Sequence, residues 1–163
     1  AGSILAGSAS VSDFLRLQLG AFIPRWIRLF GASVHGFILQ PVEGHGLWNG
    51  KPVFGQLPRN GDSDGEIAVM TRATIRLSRL RQFWKHVDSV ATQMANAPGF
   101  IKSYGIGEIP FMKQATFSIW ENREAMKRFA YQMHEHKEVI VKTRKEKWYS
   151  EDMFMRFKIL RRL

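Results

Sequence analysis

The chain has 163 residues, 45% of them hydrophobic, with 12 Phe and 5 Trp; that suits one domain, or one domain and a fragment, and excludes wholesale disorder. With no cysteine, disulfides, thiolate-bound zinc, iron–sulfur clusters and thiol catalysis are all excluded. A formal charge of +10, from 24 Lys and Arg against 14 Asp and Glu, attracts polyanions: nucleic acid, anionic lipid or an acidic ligand.

The opening AGSILAGSAS lacks a basic region followed by an apolar run, so it does not read as a signal peptide. No apolar run reaches the ~18 residues of a membrane span. A cytoplasmic protein, at most peripheral to the membrane, is expected. From Ser12 to Phe30 the pattern is helical, with Leu15, Leu19, Phe22, Trp26 and Phe30 near one face and Pro24 kinking it. Its FIPRWIRLF segment, with Arg25 and Arg28, suits a membrane surface; a core-facing helix with a solvated edge is the commoner use of such a pattern. Ser33–Val42 reads as a strand ended by Pro41, with a lone histidine, His35, of the structural kind. A glycine- and proline-rich connection follows to Gly65, with an Asn-Gly turn. Its Asp62, Asp64, Gly65, Glu66 cluster lacks the spacing of a calcium loop.

The remainder alternates between strand and helix periods. Glu66–Arg76 is a strand, Ser78 starts a helix carrying Leu80, Phe83, Trp84, Val87, Ala91 and Met94 on one face, and Ala97-Pro98-Gly99 stops it. Strands Phe100–Gly107 and Gln114–Trp120 precede a second helix from Asn122 to about Trp148, with Ala125, Met126, Phe129, Met133, Ile140 and Thr143 buried. A last strand runs Asp152–Leu160. The order βαββαβ predicts an α+β, ferredoxin-like domain with two helices on one face of an antiparallel sheet. The expected division is a partial helix–strand repeat over 1–43, a linker over 44–65 and a complete domain over 66–163.

Alternation assigns Ile67, Val69, Ile75, Ala115, Phe117, Ile119, Met153, Met155, Phe157 and Ile159 to the helices. Met70, Arg72, Thr74, Arg76, Thr116, Ser118, Trp120, Phe154, Arg156 and Lys158 then face the other way. Such a mixed face is either solvated or closed against a second sheet into a barrel that binds something flat, apolar and partly anionic. His136 falls on or beside the second helix's apolar stripe, where an imidazole could reach a metal or haem iron; a hydrogen-bonded core histidine is the commoner case. His134 and Glu138 form an i, i+4 pair without a third metal ligand. GIGEIP (Gly105–Pro110) does not open a helix and is no dinucleotide fingerprint.

The strings AVMTRATIR…FWKHV, GIGEIPFMKQATFSIW, FAYQMHEHKEVIVKTRKEKWYSEDMFMRF and, upstream, GHGLWNGKPVF closely resemble the spheroidene monooxygenase family over about residues 10–158. The resemblance implies a dimeric α/β-barrel monooxygenase, associated with oxygen insertion into acyclic carotenoids and with haem. Carried over by residue, it points to His136, to the arginines Arg72 and Arg144, and to Trp84, Trp120 and Trp148. On that basis His136 is the expected axial ligand, Arg72 or Arg144 is expected near the haem propionates, and Trp84 and Trp120 line the cofactor site. The family carries two ferredoxin-like repeats; here the first is expected to be truncated to its last helix and strand.

The leading expectation is a haem-dependent monooxygenase acting on an acyclic carotenoid or similar polyene, working as a homo-oligomer or with a partner that supplies the missing sheet. The alternative is a non-catalytic binding or structural module on the same scaffold, docked at a membrane. Nucleic-acid binding ranks third, because Lys142, Arg144, Lys145 and Lys147 spread over more than one side of a helix.

Overall fold

The structure, a computed structural model, describes residues 36–57, 65–132, 143 and 145–162. The chain divides into two units, 1–38 with 161–163, and 39–160; the second holds nearly everything described. The expected helix Ser12–Phe30, the start of the Ser33–Val42 strand and the 133–142 part of the second helix lie outside the described residues.

Five strands form one sheet: β1 (Phe37–Gly46), β2 (Ile67–Ile75), β3 (Phe100–Ile109), β4 (Lys113–Trp120) and β5 (Tyr149–Arg162). Their order is β1-β5-β2-β4-β3, and β2 pairs antiparallel with both β4 and β5, as β3 does with β4. The β5-β2-β4-β3 core is the ferredoxin-like arrangement, extended by β1. Pro41 does not end β1 but lies within it. At the sheet edge a residue without an N–H costs no ladder bond.

A 3-10 turn (Leu77–Arg79) leads into α1 (Leu80–Ala95). Ser78 does not cap this helix: Arg79 holds the N-cap position and makes no side-chain capping bond. By contrast α2 (Arg123–Gln132) is capped as its sequence predicts, the Asn122 side-chain oxygen accepting from the Ala125 N–H at 2.8 Å. The turn between α1 and β3 needs Gly99. Its φ is +80°, and a Cβ there would lie 2.5 Å from that of Ala125.

The register shows which side chains share the helix-facing surface. Ile67 stands opposite Trp120 and Lys158, and Val69 opposite Ser118 and Arg156. Residues directly opposite in a ladder point to the same face. The core under the helices therefore holds Ile67, Val69, Ala97, Trp120, Ala125, Met126 and Phe129, with Val90, Met94, Phe100 and Phe154 packed against it. Trp120 packs on Phe100 at 5.4 Å and on Phe129 at 5.3 Å, and its indole N–H donates to Ser118 Oγ at 3.0 Å.

This corrects the assignment of faces in β4 and β5. Trp120, Ser118, Phe154 and Arg156 belong to the helix side, and Ala115, Phe117, Ile119, Met153, Met155 and Phe157 to the opposite side. Those six opposite residues are also buried. A strand covered on both faces carries apolar residues at both parities, so alternation gives it no sense of direction. On α1, Ala91 is exposed and Trp84 is 37% exposed, unlike the apolar stripe expected. On α2, Ala125, Met126 and Phe129 are buried as expected, as is Thr143 beyond it.

Candidate functional site

The sheet face away from the helices combines an apolar floor with a charged latch. Its floor is Ala68, Ala115, Phe117, Ile119, Met153, Met155 and Phe157, all buried. Residues 47–57 fold back over part of it, and the Phe54 ring meets Phe157 edge-on at 5.3 Å. Beneath this flap Gly44, His45, Pro52, Phe54, Met153 and Met155 line a cavity of about 20 Å³. That is room for one water.

The flap begins with a tight hairpin. Trp48 and Lys51 exchange backbone hydrogen bonds of 2.9 and 3.2 Å. Asn49 and Gly50 between them have φ of 51° and 74°. Two successive positive φ values define the turn that Asn-Gly favours. The hairpin is held by the Glu151 carboxylate of β5, which accepts from the backbone N–H of Asn49 at 2.8 Å and of Gly50 at 2.6 Å.

Arg72 joins the latch to the sheet. Its side chain is wholly buried. Nε and Nη2 donate to the two oxygens of Glu108 at 2.8 and 2.9 Å, Nη1 donates to Glu151 at 2.7 Å, and Nη2 also reaches the Asn49 side-chain oxygen at 3.1 Å. The Trp48 ring covers the guanidinium at 5.0 Å. Bidentate pairing to one carboxylate and a second bond to another satisfy a buried cation as well as protein groups can. The hydrogen bond to Glu108 raises the Arg72 pKa further. The Glu108 carboxyl is held below the ordinary range by Arg72, and that of Glu151 by the N–H groups of Gly50 and Asn49 and then by Arg72.

A second buried arginine, Arg156 on the helix face, donates to Glu43 of β1 through Nε at 3.0 Å and Nη2 at 2.6 Å. Arg123 reaches the same carboxylate at 3.5 Å. Near the latch, Tyr149 is pushed up to about 12 by burial.

The site residues expected from the sequence do not gather among the described residues. Arg72 and Trp120 lie on opposite faces of the sheet. Trp84 stands on the outer part of α1, its indole N–H donating to the Phe111 carbonyl at 3.2 Å. Trp148 is buried, stacked at 5.8 Å on His86. His136 and Arg144 lie outside the described residues, as do His134, Glu138 and Lys142. Glu108, Glu151, Asn49 and Glu43 were not picked out by sequence reasoning. Only the Asn-Gly turn was legible among them, because the arginine partners lie 36 and 79 residues from Arg72 along the chain.

Arg72 and Trp120 are not placed to hold haem, the group the resemblance implies. A propionate anchor needs a guanidinium with donors to spare, and four of the five N–H groups of Arg72 are engaged by two carboxylates and an amide. Trp120 is packed in the helix-side core, and the cavity beneath the flap admits a water.

The fold and site thus define a ferredoxin-like α+β domain with an apolar sheet face under a carboxylate-latched flap. Two solved structures share the fold: a candidate monooxygenase from Fusobacterium nucleatum (TM-score 0.56, 12% identity, covering 93% of this chain and 64% of that one) and a Mycobacterium tuberculosis protein (TM-score 0.50, 12% identity, covering 59% and 96%). No family model matches the chain. By sequence the chain is similar to spheroidene monooxygenases of three bacteria. It is 33% identical over 137 residues to that enzyme of Cereibacter sphaeroides, covering 83% of this chain and 42% of the relative. It is 31% identical over 137 residues to that of Rhodobacter capsulatus (83% and 56%), and 36% identical over 118 residues to that of Rubrivivax gelatinosus (72% and 44%). The chain spans about half the length of the curated relatives it matches.

Proposed function

We propose that the chain is the ferredoxin-like half of a carotenoid monooxygenase acting on spheroidene or a similar acyclic polyene. The observation that carries this reading is the likeness to three spheroidene monooxygenases over most of the chain. The apolar sheet face supports it: Met153, Met155, Phe117 and Phe157 make an adaptable, polarisable floor suited to a long polyene. Because the space under the flap has room for only about one water, a polyene enters there when residues 47–57 lift from Met153 and Met155. Monooxygenation consumes O2 and a two-electron reductant, placing one oxygen on carbon and releasing the other as water.

Production of the chain in a carotenoid-accumulating bacterial host under 18O2 tests the reading. The expected result is one labelled oxygen in the extracted carotenoid. Unlabelled carotenoid alongside folded protein would refute it. Carotenoid that copurifies unaltered favours instead the binding-module reading. Haem dependence forms the finer part of the proposal and rests on His136 and Arg144. Titration of the purified protein with hemin should give a shifted Soret band that His136→Ala removes; the spectrum of free hemin throughout would refute it. Self-association, which the resemblance implies, is read by sedimentation of the same sample.

A further inference from the structure

We infer that the turn between β3 and β4, together with the start of α1, is a docking surface for an anionic lipid bilayer. Phe111, at the tip of the turn, is 65% exposed, and its φ is +63°, a conformation that bulky side chains adopt only under constraint. Asparagine or glycine would make the same turn with less strain, and neither would carry an apolar ring into solvent. The constraint is visible: Trp84 donates its indole N–H to the Phe111 carbonyl, its ring packs edge-on against Phe111 at 6.0 Å, and the Met112 carbonyl accepts from the Ile75 N–H at 2.7 Å. The tip is therefore braced from two elements. Ile109, the last residue of β3, is 44% exposed, Trp84 37% and Leu77 69%.

Cations outnumber unpaired carboxylates around these side chains. The stretch RLSRLRQFWK, residues 76–85, carries Arg76, Arg79, Arg81 and Lys85 and no carboxylate. Arg76, Arg81 and Lys85 are exposed, and Arg81 lies one helical turn before Trp84. Glu108, near the end of β3, is paired with Arg72, and Glu146 with Arg79 at 3.5 Å; Asp88, a turn beyond Trp84, is exposed at the margin. Exposed aromatic and aliphatic side chains ringed by cations match the bilayer interface, where rings sit at the headgroup boundary and lysines and arginines meet anionic lipid. A neutral protein partner would not need the cations, and nucleic acid would not need the aliphatic residues. The inference does not depend on the proposed chemistry, although an enzyme for a lipid-soluble polyene would meet its substrate at such a surface.

The test is flotation of the whole chain with vesicles of phosphatidylcholine alone or mixed with phosphatidylglycerol. Wild-type protein should float with the mixed vesicles and not the neutral ones, and added salt should release it. Phe111→Asn, which suits the left-handed turn and leaves the fold intact, should weaken binding about tenfold, as should Arg81→Glu with Lys85→Glu or more strongly. Circular dichroism and melting confirm that each variant is folded. Wild-type protein that fails to float overturns the inference. So do folded variants that float as wild type, which would put the lipid contact elsewhere on the chain. A change in oligomeric mass on Phe111→Asn also overturns it, since a second copy would then cover the surface.

Discussion

Replacing Arg72 by methionine separates a structural role for this arginine from a cofactor-binding one. The substitution keeps an unbranched side chain of similar length and removes four hydrogen bonds, to Glu108 twice, Glu151 and Asn49. Loss of one partner from a buried ion pair typically costs about 3–5 kcal/mol, because the other charge is left desolvated. Here Glu108 and Glu151 keep 25% and 18% of their side-chain surface in water, and Glu151 retains two backbone donors. The lower end, about 3 kcal/mol, is therefore expected at neutral pH. Urea unfolding measures it, and Arg72→Lys should fall between wild type and Arg72→Met, since an ammonium cannot bridge both oxygens of Glu108.

The pH dependence follows from the two carboxylates. Both have folded pKa values below the ordinary glutamate value, so their contribution is complete above the unfolded value of about 4.3 and is lost as pH falls through the folded values. Without Arg72 much of that depression disappears, and the gap between wild type and Arg72→Met should narrow below about pH 4. A loss under about 1 kcal/mol at neutral pH, or a gap independent of pH, would refute the account.

Gly46 has φ +91°, and a Cβ there would collide with the Asp152 carbonyl oxygen; Gly46→Ala should lower the melting temperature and loosen β1 from β5, read by hydrogen exchange at Leu47. Trp120→Ala should cost about 3–5 kcal/mol in urea unfolding, as truncations of buried aromatic residues do, whereas Trp84→Ala at the surface should cost far less. The buried Tyr149 phenol should titrate near 12 by phenolate absorbance. Since the fold favours the neutral phenol, its contribution is whole below about pH 10 and is lost as pH climbs toward the folded value. Tyr149→Phe should flatten stability over that range. Glu151→Gln keeps one acceptor for the hairpin and loses the charge that faces Arg72. Limited proteolysis within 47–57 should accelerate in this variant while the core stays intact.

The βαββαβ order was readable because each element has its own period, and the strand expected at Glu66–Arg76 is found at Ile67–Ile75. The cap at Asn122 and the stop at Ala97-Pro98-Gly99 were readable for local reasons, a side-chain acceptor and a residue at positive φ. Which face each strand presents was not. In β4 the last four residues, Phe117 to Trp120, are all buried, so Trp120 and Ile119 are equally apolar and only the register with Ile67 and Ala68 separates them. The candidate site was legible through Arg72 and the Asn-Gly turn. The carboxylates that hold them come from β3 and β5, and no local pattern in the sequence joins those strands to residue 72.

Glu43 bears on where this gene can be cut. It reaches from β1 to Arg156, whose side chain has no exposed surface, and both lie in the same unit of the chain. A fragment begun at the sequence boundary near residue 66 would keep every element of the ferredoxin-like pattern and lose this carboxylate, together with Asn49 and the Gly50 amide. Anyone dissecting the protein for crystallisation, or grafting the domain into another enzyme, should therefore begin upstream of Phe37.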